Sequence, residues 1–84
     1  MKVYTLVQII ERDCDVKIES FATLQEAMEF QDKLTSEFIQ DYGSVNVDFT
    51  NKENSWSFFM ESKGGGTDQQ IIIKETDLNL VSIL

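Results

Sequence analysis

The stretch TLQEAMEFQDKLTSEFIQDYG, from Thr23 to Gly43, constrains this chain more than any other part of it. Leu24, Ala27, Met28, Phe30, Leu34, Phe38, Ile39 and Tyr42 fall on one half of a helical wheel. Glu26, Glu29, Lys33, Glu37 and Gln40 fall on the other. Thr23 and Glu26 have the T-x-x-E spacing of a capping box, in which the threonine oxygen takes a first-turn N–H. Gly43 stands just past the last apolar position, where a left-handed residue closes a helix without steric cost. The spacing predicts one helix from about Leu24 to Tyr42. An apolar face this long must be buried, and one such helix calls for a sheet to lie across.

The flanking segments supply that sheet. KVYTLVQII, Lys2 to Ile10, is β-branched and aromatic, with Val3, Val7 and Ile9 to one side and Tyr4, Leu6 and Ile10 to the other. Two apolar faces suit a central strand better than an edge. VKIES alternates, with Val16 and Ile18 on one side of a hairpin partner. After the helix, SVNVDF, SWSFFME and QQIIIKE read as a three-strand meander. The predicted fold is α+β, with two layers: an antiparallel sheet of about five strands and one long helix on one face, in the order ββαβββ. Residues 1–84 form a single domain, and residues 77–84 are an apolar tail whose structure the pattern does not define. The core set is Val16, Ile18, Val45, Val47, Phe49, Trp56, Phe58, Met60, Ile71 and Ile73, with the helix stripe and one face of the first strand.

The three glycines of MESKGGGTDQQIII invite comparison with phosphate-binding loops. Such a loop needs G-x-x-x-x-G-K-[S/T] between a strand and a helix, so that the helix N-terminus faces the anion. Here Lys63 precedes the glycines and a strand follows them. The loop is therefore read as hairpin chemistry, with glycine supplying positive φ where a tight loop requires it.

Catalytic chemistry has few carriers. The chain has no histidine, which removes the usual general base and zinc ligand, and a single cysteine, Cys14, which cannot form an intramolecular disulfide. No catalytic, cofactor-binding or metal-ligating residue is assigned, and the expectation is a non-enzymatic protein without a cofactor. Glu11, Asp13 and Asp15 alternate like a calcium loop, but Val16 stands where that loop needs glycine. The lone cysteine suits a reducing cytoplasm, and no segment reaches the roughly 20 apolar residues of a membrane span.

Charge narrows the partners. Fifteen carboxylates against seven cations leave a net charge of −8, which repels nucleic-acid phosphates and disfavours direct binding to them. The stretches VYTLVQII and SFATLQEAMEF together resemble small ββα proteins of bacterial or phage type, a resemblance that brings no specific functional motif. Two functions remain, beside that of a fragment working only inside a larger assembly. One is a protein-interaction module, binding a protein partner or a second copy of itself, with Phe59, Ile72, Leu80 and Ile83 as its contact residues. An apolar centre with a polar rim of Ser57, Glu61, Gln70 and Lys74 has the composition of a contact surface. The other is an acidic mimic of nucleic acid that inhibits a DNA-binding defence protein, with Glu26, Glu29 and Glu37 as its charged face.

Overall fold

The computed structural model of the chain describes residues 1–11, 15–64 and 66–77, with the backbone alone at 44–46. Two strands, β1 (Lys2–Ile10) and β2 (Asp15–Phe21), lead into helix α1 (Leu24–Tyr42). Three more follow: β3 (Ser44–Lys52), β4 (Ser55–Ser62) and β5 (Asp68–Asp77). All pairings are antiparallel, and the sheet order is β2-β1-β5-β4-β3. The expected α+β architecture and the ββαβββ order are both present. β1 is an interior strand, as its two apolar faces imply.

The ends of α1 are set by local chemistry. The Thr23 hydroxyl oxygen accepts from the Glu26 N–H at 3.1 Å and the hydroxyl donates to the Glu26 carboxylate at 3.0 Å. Gly43 has φ 70° and its N–H returns to the Ile39 carbonyl at 2.8 Å. Lys33 does not pair with Glu29 as the i, i+4 spacing suggests. Its Nζ lies 6.0 Å from the centre of the Phe30 ring, while Glu29 accepts from Gln25.

The core lies where α1 crosses β1, β2 and β5. Leu6, Ile71 and Ile73 from the sheet meet Ala27 and Leu34 from the helix, with Tyr4, Phe21, Leu24, Met28, Phe30, Trp56 and Phe58 packed around them. Full burial of an isoleucine contributes about 1.5–3 kcal/mol. Phe38 and Met60 are also buried.

Five members of the expected core lie elsewhere. Val16 and Ile18 pair with Ile9 and Val7, so they share the sheet face that α1 does not cover, and they are 55% and 64% exposed. The β1–β2 register decides this: Leu6 points at the helix, so its partner Glu19 takes the helix side of β2 and Ile18 the other. Val47 and Phe49 do face the helix side, but α1 lies over the other end of the sheet and leaves them 45% and 54% exposed. Ile39, at the rim of the helix stripe, is exposed too. The side chain of Val45 lies outside the described residues.

The glycine loop joins β4 to β5 as a hairpin. Its order comes from Ser62, whose buried hydroxyl oxygen accepts from the N–H groups of Gly66 (2.9 Å) and Thr67 (3.1 Å). Neither Gly64 nor Gly66 has a left-handed φ, so the positive-φ argument does not apply at those two positions. Gly65 lies outside the described residues.

Candidate interaction surface

Side chains alternate across a strand, and the register therefore assigns every strand residue to a face. The face away from α1 is built from rows that cross neighbouring strands. One row reads Ile18, Val7, Ile72, Ser57 from β2 to β4. The next reads Val16, Ile9, Gln70, Phe59. Phe59 and Ile72 thus share one face, with Ser57 and Gln70 between them. β1 contributes Val3, Val7 and Ile9 to it, not Tyr4, Leu6 and Ile10. A shallow cleft of about 150 Å³ between Ile9, Phe59 and Gln70 opens on this face.

Six apolar side chains, Val7, Ile9, Val16, Ile18, Phe59 and Ile72, form a contiguous patch over four strands. Three strand spacings of about 4.8 Å and side chains at either margin make it roughly 19 Å wide. No described element lies over it. Patches of a few hundred Å² on soluble proteins often serve contacts.

The patch has ends of opposite charge. Beyond the Val16 row stand Asp68 and Glu61, directly paired across β5 and β4. Beyond the Ile18 row stand Lys74 and, across Ser55, Lys52. Asp68 and Lys52 were not singled out in the sequence, although Asp68 shares strand parity with Ile72, which was.

Leu80 and Ile83, the other two expected contact residues, lie outside the described residues, as do Asp13 and Cys14. Glu26, Glu29 and Glu37 all sit on the exposed side of α1, where they form one line along the helix. On the helix side of the sheet, Phe49 stacks against Phe58 with ring centres 5.0 Å apart at the open end beyond α1.

The described residues also line two larger recesses. One, of about 690 Å³, lies at the end of the sheet between the start of β1 and residues Ser20 to Leu24. The other, about 200 Å³, lies under the C-terminal half of α1, against the buried pair in which Gln8 Nε2 donates to Gln69 Oε1 at 2.7 Å. At the first of these ends the Tyr4 hydroxyl donates to the Glu75 carboxylate at 2.9 Å. That hydrogen bond raises the Tyr4 pKa above the ordinary tyrosine value, with burial and the Glu75 charge adding to it. Among the described residues no group of three or more acidic or cysteine side chains could hold a metal ion, and no helix is long and apolar enough to cross a membrane.

No family model matches this chain, and neither a curated protein nor a solved structure matches it.

Proposed function

We propose that this protein is a non-enzymatic protein-interaction module that self-associates through the open face of its sheet. The observation that carries this reading is the patch of six apolar side chains across β2, β1, β5 and β4. Val16 and Ile18 are the most telling members. They contribute little to the core of their own chain, yet both are apolar on an edge strand where polar residues cost nothing.

A second copy matches this face in breadth: the patch spans four strands, and the same face of a second copy is an apolar surface of equal extent.

The nucleic-acid-mimic reading has less support. A mimic needs carboxylates in two rows at phosphate-like spacing, and Glu26, Glu29 and Glu37 make one line on one helix.

Sedimentation velocity at micromolar concentration tests the proposal on the full chain and on Ile18→Asp. Ile18 is exposed, so the substitution should leave the melting temperature of the monomer within about 4 °C, since surface changes fall within about ±0.5 kcal/mol. The expected result is a dimer whose dissociation constant rises at least about tenfold in the variant. A wild-type monomer that unfolds when the chain is ended after Asp77 would instead make the tail part of the core and overturn the proposal.

A further inference from the structure

The charges at the two ends of the open face go further than self-association: they specify how two copies lie on each other. We infer that the protein forms a face-to-face twofold dimer in which the strands of the two sheets run in opposite directions. In it, Lys74 of each copy meets the Asp68–Glu61 pair of the other. The inference rests on the self-association proposed above and adds its geometry.

Two sheets packed face to face in the aligned manner admit two closed twofold arrangements. In the first, the axis runs along the strands and each row lands on its own counterpart. Asp68 and Glu61 would then face Asp68 and Glu61, and Lys74 would face Lys74. In the second, the axis runs along the rows and the strand direction reverses. The Lys74 row then lands on the Asp68 row, and the row of Ile18, Val7 and Ile72 lands on the row of Val16, Ile9 and Phe59. The apolar centre meets itself in both, so only the ends distinguish them. Like charges across an interface oppose association, whereas complementary charges fix its register.

The dimensions agree. Lys74 and Asp68 stand six residues apart on one strand, or roughly 20 Å, with the two apolar rows between them. Packed sheets lie about 10 Å apart, a gap that a lysine and a carboxylate reaching from opposite sides can span. Aligned sheets cross at about 30°, which displaces the ends sideways by roughly one strand. Lys74 then still meets the Asp68–Glu61 pair, because the two carboxylates occupy adjacent strands. β5 is the middle strand of the five, so its residues remain over the partner's sheet at either end.

The pairing also accounts for an unfavourable feature of the single chain. Glu61 and Asp68 are directly opposed on neighbouring strands, an arrangement that destabilises a sheet. A partner's ammonium group between them offsets that repulsion, and the symmetry of the dimer does so twice.

Sedimentation equilibrium on the full chain at low salt tests this with Lys74→Glu, Asp68→Lys and the double variant, whose net charge equals that of the wild type. The expected result is that each single change raises the dimer dissociation constant at least about tenfold, since each acts at two symmetric contacts. The double variant should return to within about threefold of the wild type, and added salt should weaken both. Should Asp68→Lys fail to fold by circular dichroism, Glu61→Lys with Lys74→Glu makes the same comparison. A dimer indifferent to the single changes, or a double variant as weak as both losses combined, overturns the orientation and leaves self-association standing. A wild type that is monomeric up to the highest attainable concentration overturns both.

Discussion

Truncating two phenylalanines tests the placement of the helix over the sheet, because Phe38 and Phe49 look alike in sequence and differ in structure. Phe38 is 3% exposed, on the helix side that meets the sheet, with the Tyr42 ring centre 5.0 Å away. Removing a buried phenyl ring loses its transfer free energy and leaves a cavity, together about 3–5 kcal/mol. Relaxation will not refill this site easily, since a cleft of about 200 Å³ already lies beside it. Phe49 is 54% exposed, and the ring of Phe58 is its principal neighbour. Losing an aromatic pair and half of a burial should cost about 1–2 kcal/mol. A domain of 84 residues has a total stability of about 4–13 kcal/mol, so Phe38→Ala removes a large part of it and Phe49→Ala does not. Urea unfolding followed by the fluorescence of Trp56, the only tryptophan, reads both variants at one protein concentration. With a slope of about 1 kcal/mol per molar, their midpoints should differ by roughly 1 M or more. Equal losses would show that something covers Phe49 as fully as α1 covers Phe38, and the reasoning about the helix position would fail.

Two further outcomes follow from single side chains. Ser62→Ala takes the acceptor away from the Gly66 and Thr67 N–H groups, and should cost about 1–3 kcal/mol and lower the melting temperature by at least about 4 °C. Faster amide exchange at Gly66 and Thr67 should accompany it, and a drop below about 2 °C would show that the loop does not depend on this hydroxyl. Because the Tyr4 pKa is raised in the folded state, its contribution to stability is complete below the unfolded-state value and is lost as pH rises through the folded-state value. In a Tyr42→Phe background, phenolate absorbance should titrate at lower pH after Glu75→Ala, which removes the acceptor, and an unchanged midpoint would rule out Glu75 as the cause.

The order of the elements and the ends of the helix were legible in the sequence, because short-range rules govern them, whereas β3 runs on to Lys52 and β5 to Asp77, beyond the segments the alternation marks. Thr23, Glu26 and Gly43 act within one turn of the residues they cap, so Leu24–Tyr42 follows from the chain alone. Strand alternation is equally local, and it placed Phe59 with Ile72 and identified the glycine loop as a turn. Three matters depended on contacts between distant residues. The pairing of Leu6 with Glu19 and Ile73 decided that Val16 and Ile18 face away from the helix, since alternation says which residues share a side but not which side is covered. The position of α1 over β1, β2 and β5 decided that Phe38 is core and Phe49 is not, because an amphipathic helix specifies the face it buries and not the strands it chooses. The ordering of β5 between β1 and β4 brought Asp68 beside Glu61 and set Lys74 at the opposite end of the same face. Charge and hydrophobicity are properties of residues, whereas a surface with an apolar centre and oppositely charged ends is a property of the register that joins five separate strands.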